Sequence, residues 1–222
     1  MIITKKREFK DLMENLKNYR SFFLIGCSEC ASLCGTGGDP ELAAMKEALE
    51  TEGKTVTGTL LPKTGCQTLG TKIELKKDKE ACAAADAIIV MSCGAGTQSA
   101  VEIFPDKPVF PANDSLFLGN MTRFQMFDER CSLCGKCVLD KTGGICPVTA
   151  CPKGLLNGPC GGTDNGKCEV SQDIECAWVR IYDRMKKTDQ LEDFKKVLKP
   201  KDWSAGRKPG TLNTREKKEE KK

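Results

Sequence analysis

Eight cysteines fall between positions 131 and 176: Cys131, Cys134, Cys137, Cys146, Cys151, Cys160, Cys168 and Cys176. The tract that carries them has few apolar residues and many Gly, Pro and Thr. It cannot bury a core of normal size, so it needs cross-links from metal to hold a shape. The first three cysteines are spaced C-x2-C-x2-C and Cys146 is followed by Pro147, a pattern of thiolate ligation of iron–sulfur clusters. Eight thiolates are also what two four-iron clusters require. The chain contains no histidine, which makes an all-sulfur site the default for any metal.

Fourteen cysteines raise the option of a disulfide scaffold, and three features oppose it. The start, MIITKKREF, lacks the apolar stretch of a signal peptide. At 222 residues and 39% hydrophobic content, the chain has the ordinary core residues that staples replace in small domains. The cysteines also cluster in close local spacings, which suit a metal better than loop-closing bridges. The expectation is a cytoplasmic protein whose thiols are reduced or metal-bound. No run of ~18 apolar residues occurs, so no membrane span is expected. The net charge of +4 gathers at the ends, in Lys5-Lys6-Arg7 and from Arg215 to Lys222. These read as solvated ends rather than nucleic-acid arms, because stacking aromatics are missing around them.

Periodicity gives the amino half. Residues 5–19 read as an amphipathic helix with Phe9, Leu12, Met13, Leu16 and Tyr19 on one face. The apolar run Ser21 to Gly26 reads as a buried strand. Asp39-Pro40 opens a helix that carries Leu42, Met45 and Leu49 and stops at Gly53. A second strand over 54–61, an Ala-rich helix over about 77–85, a third strand over 86–91, a short helix near 97–103 and a fourth strand near Pro108 to Phe110 follow. Strands alternating with helices predict an α/β fold with an open, mainly parallel sheet of the Rossmann or flavodoxin kind. Such sheets bind ligands beyond the carboxyl ends of their strands. The loops at that end carry Cys27, Cys30 and Cys34, then Cys66, then Cys93.

Residues 112–130 read as a connector. Beyond the cysteine-rich tract, Ser171 caps a helix to about 187, with Ile174, Ala177, Trp178, Ile181, Tyr182 and Met185 as its apolar stripe and Cys176 on the opposite face. Another short helix is expected over 189–198, and disorder from Lys199 onward. The predicted organisation is an α/β domain over 1–120 with cysteine-lined strand-end loops. A cysteine-rich iron–sulfur domain with a C-terminal helix follows over 121–200, and a disordered tail over 201–222.

Each motif has a plainer alternative. Four-cysteine zinc sites also use C-x2-C, but they more often show two separated pairs than one triplet followed by isolated cysteines. The gap before Cys146 is longer than in two-cluster ferredoxins, which leaves its cluster unassigned. Cys27, Cys30, Cys34, Cys66 and Cys93 admit a third four-iron cluster, a zinc ion or scattered reduced thiols, and five candidates compete for four places. Cys82, inside the Ala-rich helix, reads as a small buried hydrophobe. Gly35-Thr-Gly-Gly38 precedes a helix but matches neither a P-loop nor a dinucleotide fingerprint, so it reads as the lining of a cluster loop. Histidine base catalysis is impossible, and no serine lies in a nucleophile-elbow motif.

Several strings together resemble a known family: Cys131-Ser-Leu-Cys-Gly-Lys-Cys, Thr142-Gly-Gly-Ile-Cys-Pro147, Cys151-Pro-Lys-Gly-Leu-Leu-Asn-Gly-Pro-Cys-Gly-Gly162, Gly166-Lys-Cys-Glu169 and Cys176-Ala-Trp178. So do Gly26-Cys-Ser-Glu-Cys-Ala-Ser-Leu-Cys-Gly-Thr-Gly-Gly38 and Ser92-Cys-Gly-Ala-Gly96. The family is the iron–sulfur small subunit of methylenetetrahydrofolate reductases of acetogens and related anaerobes. The resemblance implies metal ligation at the eight later cysteines, with Cys176 the least sure of them. It leaves the amino-terminal metal as either iron–sulfur or zinc. It implies an electron-transfer subunit that takes electrons from a donor protein or subunit and passes them to the flavin of a partner catalytic subunit in one-carbon metabolism. Two other readings stand beside it. One is a zinc-stabilised scaffold or regulatory subunit with no redox role. The other is a self-contained enzyme binding a pterin or nucleotide at the sheet edge, for which no convergent polar set is visible.

Overall fold

Phe22, Phe23, Leu24 and Ile25 leave no polar face, and a strand of that kind must be covered on both sides. In the computed structural model, which describes residues 1–214, all four are buried within a parallel sheet. The chain divides into two units, Met1–Glu129 and a second that begins at Arg130. The first unit runs β1 (Ile2–Lys6), α1 (Phe9–Leu16), β2 (Ser21–Ile25), α2 (Cys30–Leu33), α3 (Asp39–Thr51), β3 (Thr55–Leu60) and α4 (Thr68–Glu74). It continues through α5 (Lys79–Ala84), β4 (Ala87–Val90), α6 (Gly94–Ile103), β5 (Val109–Pro111) and β6 (Asn113–Arg123), and the boundary falls within β7 (Met126–Cys131).

The parallel sheet has the order β3-β2-β4-β5. Side chains alternate along each strand, as the pleat demands. Phe22, Leu24, Ala87, Ile89 and Met91 join Leu12, Leu16, Leu42 and Leu49 in one core. Phe23, Ile25, Ile88 and Val90 join Leu60, Leu75, Cys82 and Ala100 in the other. Burying side chains of this size stabilises by roughly 1.5–3 kcal/mol each, so two apolar layers clamp the sheet from both faces. Cys82 is one of these core residues, at 6% exposure. The winding reverses at β2, which has β3 on one side and β4 on the other. A switch point of this kind opens a crevice beyond the carboxyl ends of the two strands where the direction changes.

Several sequence readings need correction. The predicted helix over 5–19 is a strand followed by a shorter helix. Ile2-Ile3-Thr4 is a β-branched run and pairs antiparallel with β6, from Ile2 opposite Leu118 to Lys6 opposite Asn113. The expected connector over 112–130 is instead β6 and β7, and the three strands form a second sheet in the order β1-β6-β7. Helix α4, absent from the sequence reading, follows Cys66 directly.

The second unit holds α7 (Pro147–Ala150), β8 (Lys167–Cys168), β9 (Ser171–Glu175), α8 (Ala177–Lys187) and α9 (Leu191–Phe194). Ser171 does not cap a helix. It pairs with Cys168 in a small antiparallel hairpin, and the helix starts at Ala177 with Cys176 as its N-cap. Pairing with β8 removes Ser171 to Glu175 from the helix, so Ile174 leaves the predicted stripe and stands partly exposed. Trp178, Ile181 and Met185 keep the helical spacing and form one small core with Cys176, so Cys176 lies with the stripe rather than opposite it. Arg184, Lys186 and Lys187 occupy the last turn of α8, where the helix dipole favours cations. Part of the expected tail over 201–222 lies outside the described residues. Within them, Ser204–Gly206 form a 3-10 turn whose backbone packs on that of Cys134 and Gly135. Among the described residues no helix is long and apolar enough to cross a membrane.

Candidate metal centre

None of the fourteen cysteines is joined to another. In the second unit, Cys151, Cys160, Cys168 and Cys176 line one small cavity with Lys153, Leu155 and Trp178. Cys168 and Cys176 are buried and Cys160 is exposed. The hairpin delivers Cys168, the start of α8 delivers Cys176, and the Trp178 indole N–H donates to the Leu155 carbonyl at 3.1 Å, fixing the loop between Cys151 and Cys160 against the helix. Cys160 has a thiol pushed below its ordinary value by the Gly162 N–H and by the Lys153 ammonium beside it. Both favour the thiolate, the form that binds metal. Lys153, which also pairs with Glu169, was not singled out from the sequence. Its only signal there is a cation placed between two cysteines.

Cys131, Cys134 and Cys137 lie on an open turn, with Cys131 and Cys137 exposed. Leu133 adopts φ 53°, the left-handed region that a bulky side chain seldom enters. There its N–H donates to Cys131 Sγ at 3.4 Å. Cys146 is the N-cap of α7, followed by Pro147 as the first helical residue. Thr149 draws these pieces together: its hydroxyl shares a 2.9 Å hydrogen bond with Ser132 and accepts the Cys146 thiol at 3.6 Å. The structure therefore brings Cys146 to the triplet and gathers the last four cysteines elsewhere.

In the first unit, Cys27, Cys66 and Cys93 follow the carboxyl ends of β2, β3 and β4. Backbone bonds lock the loops: Gly26 N–H to the Leu60 carbonyl at 2.9 Å, Ser28 N–H to Pro62 at 3.0 Å and Cys27 N–H to Gly37 at 2.9 Å. Gly37 crosses so close to Met91 that a Cβ would run into the Met91 carbonyl. Gly38 N–H is capped by the Glu41 carboxylate at 2.9 Å. These two glycines thus serve close packing and the start of α3. The Cys66 carbonyl accepts from Ser99 of α6 at 3.3 Å, and Ser99 is bonded to Thr68 at 3.0 Å. Cys66 is exposed, yet its thiol is pushed up by partial burial and then by the charges of Cys93, Cys27 and, more weakly, Cys30. As placed, no three Cys, Asp or Glu side chains among the described residues close on a single metal ion.

No curated protein and no solved structure matches the chain. Residues 110–204, which hold all eight cysteines from Cys131 to Cys176 and leave out Cys27 to Cys93, match the model of a family described as methylene-tetrahydrofolate reductase C terminal.

Proposed function

We propose that the second unit binds two four-iron clusters, and that the chain is the electron-transfer partner of a flavin-bearing methylenetetrahydrofolate reductase subunit. One observation carries the reading: four thiols from separate turns line a single small cavity, within a stretch whose family description is that of a methylene-tetrahydrofolate reductase segment. On this reading Cys151, Cys160, Cys168 and Cys176 hold one cluster. Cys131, Cys134, Cys137 and Cys146 hold the other, which the contacts of Thr149 support. Cys146 then serves its own triplet, unlike the crossed arrangement of two-cluster ferredoxins.

The donor set fits such a group. It is all sulfur, it includes buried and exposed members, and at Cys160 a backbone N–H and an ammonium stabilise the thiolate. Four-iron clusters, when bound, accept and release single electrons. The chain's own part is to hold the thiolates, to aim backbone N–H groups at sulfur, and to keep water from Cys168 and Cys176. With no histidine it lacks the usual proton carrier near neutral pH, so reduction of the folate belongs to the partner's flavin.

Anaerobic purification followed by iron and acid-labile sulfide analysis tests this. The two sites require about eight irons, Cys160→Ala and Cys134→Ala should each remove roughly half of that set, and the reduced protein should reduce the partner's flavin on mixing. A colourless preparation that holds zinc alone, or a reduced protein that leaves the flavin oxidised, refutes the proposal.

A further inference from the structure

We propose that a carboxy-terminal strap, residues 198–207, and the turn from Cys131 to Cys137 together form a basic docking face for an acidic one-electron carrier protein. Electrons enter the chain at that face. The proposal rests on the iron–sulfur reading of the second unit and adds where charge arrives and what chemistry delivers it.

The strap is polar in sequence, yet it is held at several points. Asn157 clamps Leu198: its Oδ1 accepts the Leu198 N–H at 2.6 Å and its Nδ2 donates to the Leu198 carbonyl at 3.1 Å. The Lys201 ammonium donates to the Lys136 carbonyl. The Asp202 carboxylate accepts the Ser204 N–H at 2.9 Å. Ala205 and Gly206 lie against Cys134 and Gly135 so closely that a Cβ on Gly206 would stand 3.0 Å from the Cys134 carbonyl carbon. The strap is thereby fixed beside the triplet, and Cys137 shares one cavity with Lys136, Lys141, Lys199 and Lys201.

The charge on this face is not cancelled locally. From Lys195 to Lys208 the chain carries six cations and one carboxylate. Lys195 and Lys196 pair with Glu192 and Asp193, and Lys141 pairs with Asp140. Lys136, Lys199 and Lys201 form no ion pair among the described residues. Leu133 and Trp203 stand exposed on either side of the contact between Gly135 and Ala205, and the Lys201 ammonium lies 5.4 Å from the Trp203 ring centre. An aromatic anchor within a charged rim is the anatomy of a recognition patch.

The same composition selects the partner. Permanent interfaces are apolar at their centre and depleted in lysine. A lysine face suits brief encounters steered by opposite charge, and redox encounters are among the smallest of these. Cys131 and Cys137 are exposed whereas Cys168 and Cys176 are buried, so the triplet is the set open to a visiting protein. One electron passes from the reduced carrier to the triplet site, no bond forms or breaks, and the carrier leaves oxidised.

The test uses the full chain, purified anaerobically, with an acidic plant-type ferredoxin as the probe. Binding of the oxidised probe is read by calorimetry and oxidation of the reduced probe by stopped-flow absorbance, at about 20 mM and about 0.5 M salt. Lys136→Glu/Lys199→Glu, at two exposed positions, should weaken binding and slow the transfer by roughly tenfold or more at low salt, with iron content equal to the parent. The difference should shrink at high salt, and Lys199→Arg should behave as the parent. Trp203→Ala should weaken binding about fivefold or more at both salts. Rates and affinities indifferent to salt and to the two glutamates would overturn the proposal. So would a parent dimer that Lys136→Glu/Lys199→Glu dissociates, which gives the face to a second copy. Slower flavin reduction by the pre-reduced double variant, with carrier binding unchanged, gives it to the catalytic subunit and overturns the proposal as well. A parent without iron refutes the cluster reading, whereas an iron-loaded chain blind to these lysines refutes the docking face alone.

Discussion

Gly37→Ala is the sharpest probe of how the first unit holds its cysteine loops. The added methyl would fall on the Met91 carbonyl oxygen, with the Met91 carbonyl carbon at 2.9 Å and Ala31 Cβ at 3.1 Å. Two of these neighbours are backbone atoms of the residue just past β4, so no side chain can rotate away. The Gly37 segment must move instead, and its carbonyl then loses the Cys27 N–H, now bonded at 2.9 Å. Overpacking costs roughly 1–3 kcal/mol and a lost backbone hydrogen bond about 1 kcal/mol, so the expected loss is about 2–4 kcal/mol. Gly94→Ala is the matched control. It lies at the same end of the sheet, its nearest contact would be Ser115 Oγ at 3.6 Å, and alanine in the helix is favourable by up to about 1 kcal/mol. Hydrogen exchange read on the amides of Ser21–Ile25 and Ala87–Val90 measures the opening free energy of this unit by itself. Equal protection in the two variants would show that the contact at Met91 does not constrain the loop.

In the second unit, Ile181 is fully buried in the small core, and Ile181→Ala should cost about 2–5 kcal/mol, seen as a lower urea midpoint by Trp178 fluorescence. Burial, and then the Asp78 carboxylate, push the Cys82 thiol up to about 11 from 9.0. The folded state therefore keeps the proton where the unfolded chain loses it. The associated stability is complete below pH about 9 and is lost as pH rises toward about 11, by of order 2 kcal/mol. Urea midpoints between pH 8 and 10.5 should fall less steeply in Cys82→Ala. Asp86 accepts the Arg20 and Ser21 N–H groups, each at 2.9 Å, and these hold its carboxyl below the usual range. Its contribution is present above the ordinary carboxylate value and fades as pH falls through the lowered one, so Asp86→Asn should flatten the acid limb of a stability profile taken between pH 6 and 3.

The parallel sheet was legible because its signals are local. Phe22 to Ile25 and Ile88 to Val90 are continuous apolar runs, and Asp39-Pro40 announces α3 within two residues. The antiparallel sheet was hidden because β1 pairs with β6 across more than a hundred positions, and a five-residue strand leaves little period to read. Ser171 looked like a helix cap because its hairpin partner, Cys168, can be recognised only in three dimensions. The cysteine spacings marked the candidate site, but spacing could not divide it. Separating Cys146 from Cys151 takes Thr149 and the cavity beside Trp178.

The two halves differ in how much apolar core each possesses. The sheet at the amino end is clamped between two oily layers, so its thiols are presented on a finished frame. The later tract rests on Trp178, Ile181 and Met185 with a few neighbours, too little to fix so many turns. If the proposed clusters are bound, the late half should gain its shape as it is loaded, while the early half folds on its own apolar layers. Limited proteolysis of the metal-free protein should then cut the carboxy-terminal portion first.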